Sequence, residues 1–265
     1  MPPATGPRRI AVFGGVYSNW LALEALLLDA RRRGAEAIYC LGDLGAFGPH
    51  PDRVWPLLVA GGVETIQGNY EESLASGAGD CNCGYTDPRD NHFAQLSYDY
   101  TAARTSEPFK RWMGTLPKQI RLELGGQRLL LCHGSPRRIN EFLWETTTSN
   151  AFLRRLLAEC GANAVLCTHT GLPWQRDLPG GGRVVNVGVI GRPPNDGRRG
   201  GVYALLDAGP PLRAQFIRFD YDAERLAGEM RDEKLPEEFA ETILTGWWTT
   251  CLEILPAKER ERGRY

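Results

Sequence analysis

The chain has 265 residues, a formal net charge of −1, 42% hydrophobic residues and 24% charged residues. That length supports one domain with a sizeable core, and the ordinary composition, free of low-complexity tracts, excludes a disordered or fibrous chain. Near-neutral charge argues against nucleic acid as a partner, no apolar run is long enough to span a bilayer, and residues 1–9 lack the apolar stretch of a signal peptide.

In chain order, Arg9–Phe13 reads as a buried strand, and Gly14-Gly15 then turns the chain. Ser18 or Asn19 caps a helix that runs to about Arg33 and ends at Gly34. Ala37–Leu41 is a second strand, the loop Gly42–Pro51 follows, Val54–Ala60 is a short helix and Val63–Gln67 a third strand. This β-α-β-α-β rhythm predicts a parallel sheet with helices on its faces. Cys81–Pro88 carries the Gly and Pro punctuation of a loop, and Asn91–Thr105 and Glu107–Leu116 read as helices. Ile120–Leu124 and Arg128–Cys132 flank Gly125-Gly126 as a hairpin. A helix over Asn150–Cys160 leads into a strand at Ala164–Cys167. Further strands are expected at Val184–Val187, Val202–Leu206 and Leu212–Phe216, the last two antiparallel. Residues 221–250 read as helical, with Trp247 and Trp248 on the last helix, one buried and one turned to a partner, and the charged tail Lys258–Tyr265 as frayed.

Seven cysteines, at 40, 81, 83, 132, 160, 167 and 251, form an odd set without framework-like spacing. They read as reduced thiols of a cytoplasmic protein. More informative is the placement of four polar residues. Asp43, Asn69, His133 and His169 each follow a predicted strand with Gly or Thr beside them. That edge of an α/β sheet is where ligands bind, and one Asp, one Asn and two His make a mixed oxygen and nitrogen set for a metal ion. Alternation along the strand turns Cys132 away from His133 and into the core. Any one of the four alone reads more simply as a capping or hydrogen-bonding residue; the four together point to a site.

Leu-Gly-Asp-Leu-Gly-Ala-Phe-Gly-Pro at 41–49, Gly-Asn-Tyr-Glu at 68–71, His-Gly-Ser-Pro at 133–136 and Thr-His-Thr-Gly-Leu-Pro at 168–173 resemble, in order, motifs of the calcineurin-like metallophosphoesterases. Val-Asn-Val-Gly-Val-Ile-Gly-Arg-Pro at 185–193 resembles the turn that follows in the small bacterial and archaeal branch, and Asn186 reads as a structural residue near the ligands. The resemblance spans residues 9 to about 218. It implies an α/β fold, a four-layer α-β-β-α sandwich of two mixed sheets flanked by helices, over residues 1–220, with 221–265 as a helical C-terminal extension packed on the same domain. It also implies a cytoplasmic phosphoric ester hydrolase, phosphatase or phosphodiesterase, acting on a small phosphorylated substrate with no membrane partner, and allows a homodimer.

The family's metal pair shares a bridging Asp, which Asp43 matches, and Asn69, His133 and His169 match the other ligands of one metal. The private ligands of the other are missing, with Gly15, Tyr17 and Gly171 at their positions, and Tyr70 stands where the family has a proton-donating His. The resemblance therefore implies one transition metal, Mn, Fe or Zn, with the second in doubt. Three accounts follow. In a mononuclear hydrolase, substrate phosphate takes the lost metal's place at the Gly14 and Gly15 amides, with Arg137 and Arg138 as further phosphate contacts and Tyr70 or Tyr17 as the acid. In a rebuilt centre, Cys81, Cys83 and His92, with Asp87 and Asp90 nearby, supply new ligands. In the third account the scaffold binds a metal or nucleotide without hydrolysis. Asn140, Glu141 and Trp144 are candidates for a substrate wall.

Overall fold

The computed structural model describes residues 6–209 and 211–263. Ten strands form two mixed five-stranded sheets. The first has the order β10 (Arg213–Phe219), β9 (Gly201–Asp207), β1 (Arg9–Phe13), β2 (Ala37–Cys40), β3 (Glu64–Thr65). Its β1, β2 and β3 run parallel, while β9 is antiparallel to both β1 and β10. The second has the order β4 (Gln119–Leu124), β5 (Gln127–Cys132), β6 (Ala164–Cys167), β8 (Arg183–Val187), β7 (Pro173–Asp177). There β5, β6 and β8 are parallel, and β4 and β7 are antiparallel edges.

Period-two alternation decides the layers. Ile10 and Val12 of β1 meet Leu129, Leu131, Leu166 and Val185 between the sheets. The intervening Ala11 and Phe13 pack outward under α1 (Trp20–Arg32), α2 (Val54–Ala60), α3 (Asn69–Ser76), α4 (Pro88–Arg104) and α5 (Glu107–Thr115). On the other side, Leu130 and Cys132 pack beneath α6 (Asn150–Cys160), so Cys132 is a core thiol. The result is the expected α-β-β-α sandwich. Both sheets direct the C-terminal ends of β2, β5 and β6 to one edge, which is where the loops bearing Asp43, His133 and His169 begin.

Some local expectations change. β3 is two residues rather than five, because Ile66 still bonds Cys40 but Gln67 turns its amide to Pro117. The helix α3 has no expectation behind it: its N-cap is Gly68, and the signal is Glu71 at the third helical position. β7 begins with Pro173, which an edge strand tolerates. Residues 221–250 split into α7 (Ala223–Asp232) and α8 (Glu237–Thr245), since Lys234 is left-handed at φ 59° and Pro236 begins the next helix. Gly246, at φ 78°, ends α8, so Trp247 and Trp248 lie beyond the helix. The tail forms one helical turn, α9 (Ala257–Arg260), with Glu259 buried against Thr146. Residues 264–265 of the expected frayed tail lie outside the described residues.

Candidate metal centre

Asp43 follows β2 through Gly42, with both residues in the left-handed region, at φ 87° and 59°. His169 follows β6 and is left-handed at φ 69°. Such backbone costs a side-chain-bearing residue about 1–3 kcal/mol and persists where the surroundings enforce it. At Asp43 the enforcer is Glu71, fully buried, whose carboxylate accepts the amides of Asp43 (2.8 Å), Leu44 (2.8 Å) and Gly68 (2.7 Å). Burial, then the charge of Asp43, push the Glu71 carboxyl up to about 7, against the pull of those three amides. Gly68 permits this approach: a Cβ there would meet Asp43 Oδ1 at 2.6 Å and His133 Cε1 at 2.8 Å. At His169 the loop is pinned by Asn186, buried, whose amide donates to Thr168 O (3.1 Å) and Thr170 Oγ1 (2.9 Å).

These turns bring ligand atoms of Asp43, His133 and His169 within 4.8 Å of one another, all buried. His133 Nδ1 donates to Leu41 O at 2.6 Å, so Nε2 is the ring nitrogen that faces Asp43 Oδ2 at 3.3 Å and His169 Nδ1 at 3.1 Å. Burial opposes ionisation of Asp43, but the charge of His133, its hydrogen bond and the nearby His169 outweigh it, so the carboxyl falls below its ordinary value. Burial, then His133, hold His169 down to about 3, so it is neutral. A carboxylate oxygen and two imidazole nitrogens therefore converge; against burial, the charge and hydrogen bond of Asp43 raise His133 in return, so their contact holds a proton that a cation would displace. That donor set fits a cation, with ligand spacings suited to one small ion. Asn69 stands next to the cluster, since the following amide, Tyr70 N–H, donates to Asp43 Oδ1 at 3.3 Å. Its Nδ2 is held by Cys81 O at 2.8 Å, and its buried Oδ1 has no hydrogen-bond partner.

The structure treats the other sequence candidates differently. The Gly15 amide is taken by Gly42 O at 2.9 Å, and both Gly14 and Gly15 are buried, so this turn does not present a free amide cradle to an anion. Cys81 and Cys83 are joined in a disulfide, not standing as reduced thiols, although Cys83 lines the small cavity beside the cluster. Cys40, Cys132, Cys160, Cys167 and Cys251 are free. Asp87 caps α4, Asp90 accepts the amides of Glu253 and Ile254, and exposed His92 packs on Phe93. Among the described residues the metal-capable group is Asp43, His133 and His169, without these three.

Tyr17 and Tyr70 both line the cavity, as their motif positions imply. The Tyr70 hydroxyl is engaged with Ser97 Oγ at 3.0 Å. Burial raises both phenols far above their ordinary range. Arg137 and Arg138 line a separate cavity of about 330 Å³ that reaches His133, together with Lys118 and Asn140. Glu141 accepts from Ser135, and Trp144 stacks on Phe142, which covers His169 with ring centroids 4.4 Å apart.

The surroundings of Gly15 and Gly171 are filled. A Cβ on Gly15, which is at φ 47°, would lie 2.3 Å from Val189 Cγ1. A Cβ on Gly171 would lie 2.8 Å from the Trp248 ring and 3.3 Å from the Arg192 guanidinium. Glu71, Phe142 and Arg192 also shape the site and are not among the candidates that the motifs name. Glu71 was legible as a capping-box acid; a side chain arriving from a distant loop leaves no local signal.

A model of the calcineurin-like phosphoesterase superfamily domain matches residues 9–209. An uncharacterized protein of Methanocaldococcus jannaschii is 22% identical over 253 residues, covering 89% of this chain and 98% of its own. Crystal structures with the same fold include a hypothetical protein of Pyrococcus horikoshii, at 23% identity and TM-score 0.76, covering 91% of this chain and 99% of that one. A metallophosphoesterase from Sphaerobacter thermophilus, at 23% identity and TM-score 0.68, covers 91% of this chain and 100% of its own.

Proposed function

The chain belongs to the calcineurin-like phosphoesterase superfamily, and from that premise we propose that it hydrolyses a phosphate mono- or diester with a single metal ion held by Asp43, His133, His169 and Asn69. The observation that carries this reading is the convergence of buried ligand atoms: Asp43 Oδ2, His133 Nε2 and His169 Nδ1, with Asn69 Oδ1 unpartnered beside them. A bound divalent ion supplies Lewis acidity towards a phosphoryl oxygen and acidifies water at neutral pH. The protein's part is to hold the ligands in register. Leu41 O fixes the His133 tautomer, Glu71 fixes the Asp43 turn, and Asn186 fixes the His169 loop. Tyr17 is the better placed of the two phenols to give a proton to the leaving oxygen, because that of Tyr70 is committed to Ser97. Arg137 and Arg138, at the mouth of the cavity that reaches His133, supply charge that draws in an anionic ester. Residues 1–220 form the phosphoesterase domain on this reading, and 221–265 an extension of it.

One observation favours the alternative of a non-hydrolytic metal- or nucleotide-binding protein. The cavity lined by Tyr17, Asp43, Tyr70, Cys83 and His169 is only about 10 Å³, room for an ion or a water but not for an ester. The deciding experiment combines metal stoichiometry, on protein purified without chelators, with turnover of bis-p-nitrophenyl phosphate. One ion per chain, with turnover abolished in Asp43→Ala, supports the hydrolase. One ion without turnover supports the alternative, and two ions would require ligands beyond the four named.

No helix among the described residues is long and apolar enough to cross a membrane.

A further inference from the structure

Arg192 is 5% exposed, among the most buried charged side chains of the described residues. Its guanidinium lies 3.4 Å from the Trp248 ring centroid, 5.1 Å from that of Phe47 and 5.8 Å from that of Tyr17. The cage is held rigidly: Trp248 donates from Nε1 to Pro193 O at 2.6 Å and from its backbone to Asn195 Oδ1 at 2.8 Å. Among the described residues Arg192 forms no ion pair, and its buried Nε has no hydrogen-bond partner. Half-buried arginines elsewhere have partners: Arg183 pairs with Asp177, Arg218 with Asp196, and Arg176 donates to the carbonyls of Thr148 and Glu145.

A buried cation without a counter-ion is expensive, and cation–π contacts return only part of that cost. Removing the charge would be the cheaper solution for packing alone, because apolar replacements of buried ions are commonly neutral or stabilising. The site therefore holds a charge for something that is to arrive. Its neighbours say where. Tyr17 and Phe47 form one wall of the cage and also line the cavity that contains Asp43 and His169. The guanidinium is also 3.3 Å from where a Gly171 side chain would start, two residues after His169.

We propose that Arg192 is a phosphate-binding residue of this site, an aromatic-caged cation that takes a phosphoryl oxygen of the substrate beside the Asp43–His133–His169 centre. The inference rests on the phosphoesterase reading for its substrate class and adds a residue that reading does not contain. An arginine suits the role: its charge is permanent, and its planar fork meets a phosphoryl group through two parallel hydrogen bonds. One fixed positive charge also gives the half of the site without a carboxylate at Gly15 a net cationic character that needs no second ion. Because the cavity lined by Tyr17 and Phe47 is only about 10 Å³, an anion reaches the guanidinium from the Asp43 side only when one of these rings turns aside.

The test is titration of the intact protein with inorganic phosphate by calorimetry, read in parallel by tryptophan fluorescence, since Trp248 stacks on the guanidinium. Metal content and melting temperature are measured on the same samples. Arg192→Met is expected to bind phosphate at least about 10-fold more weakly, with metal content unchanged and melting temperature no lower than the parent's. Arg192→Lys, which keeps charge but loses the fork, is expected to weaken binding several-fold and serves as the readout if the Met variant does not fold. Phosphate affinity equal to the parent's in either folded variant overturns the proposal. A melting temperature that falls in Arg192→Met with phosphate affinity intact assigns the residue to packing and overturns it as well. If the parent protein carries no metal yet binds phosphate through Arg192, the metal reading fails and this one stands. If it carries one metal and phosphate binding ignores Arg192, the reverse holds.

Discussion

The two halves of the site are built on opposite principles. Around Asp43, His133, His169 and Asn69, ligand atoms face one another, Asn69 Oδ1 is unpartnered, and two residues hold left-handed backbone. Around Gly15, Tyr17 and Gly171, the space is closed by Val189, the Tyr17 ring, Trp248 and the aliphatic and charged parts of Arg192. Interiors are normally satisfied and close-packed. The second half obeys the packing rule and departs from satisfaction at Arg192 Nε, while the first departs from it through the ligand atoms clustered at Asp43, His133, His169 and Asn69.

Asp43→Ala strikes the first half hardest. It removes the carboxylate that His133 faces and is expected to lower metal affinity by at least about 100-fold, with turnover falling to background. Metal analysis and ester hydrolysis check it, and a variant that retains one ion per chain would mean the converging atoms are not the ligands.

Trp248→Ala probes the second half. It empties a buried ring 2% exposed and uncovers Arg192, so the expected loss is about 3–5 kcal/mol of stability by denaturant unfolding. A loss below about 1 kcal/mol would show that this half is loosely packed and that the comparison is wrong. Gly15→Asp asks whether the missing carboxylate can simply be put back. At φ 47° and 2.3 Å from Val189, it is expected to destabilise by about 1–3 kcal/mol without adding a second ion. Two metals per chain in that variant would break the contrast between a waiting half and a filled one.

The smallest effect comes from outside both halves, where α7 docks on α1. Glu229 accepts from Trp20 Nε1 at 3.0 Å and from Arg225 at 3.1 Å, with Arg53 at 3.2 Å. Burial opposes its ionisation, but these partners outweigh it and set its carboxyl below the ordinary glutamate value. The folded-state value is depressed, so its contribution is present above the unfolded value and lost as pH falls through the folded one. Glu229→Gln is expected to cost less than about 1 kcal/mol near neutrality and to flatten the acid limb of a melting-temperature profile. An unchanged acid limb would remove Glu229 as the anchor that keeps the extension, and with it Trp248, in place.

Much of this was written locally. Short continuous apolar runs marked β1, β5 and β6 as buried strands, and parity along each run then decides which face a side chain takes. Polar residues after Gly at strand ends marked Asp43, His133 and His169, because a sheet edge exposes just those positions to a ligand. Gly15, Tyr17 and Gly171, read through the family resemblance, likewise set one half of the site apart from the other. What packs into that half was not legible. Val189, Arg192 and Trp248 reach it from other stretches of chain, Trp248 only because Gly246 ends α8 early. The same holds for Cys81 and Cys83: two thiols one residue apart are compatible with metal binding or with a disulfide, and the loop's path over Asn69 decides between them. Period and turn chemistry are properties of a few consecutive residues. Which side chain fills a gap, and whether a buried charge finds a partner, depends on distances between residues far apart in sequence, and only the tertiary structure sets those.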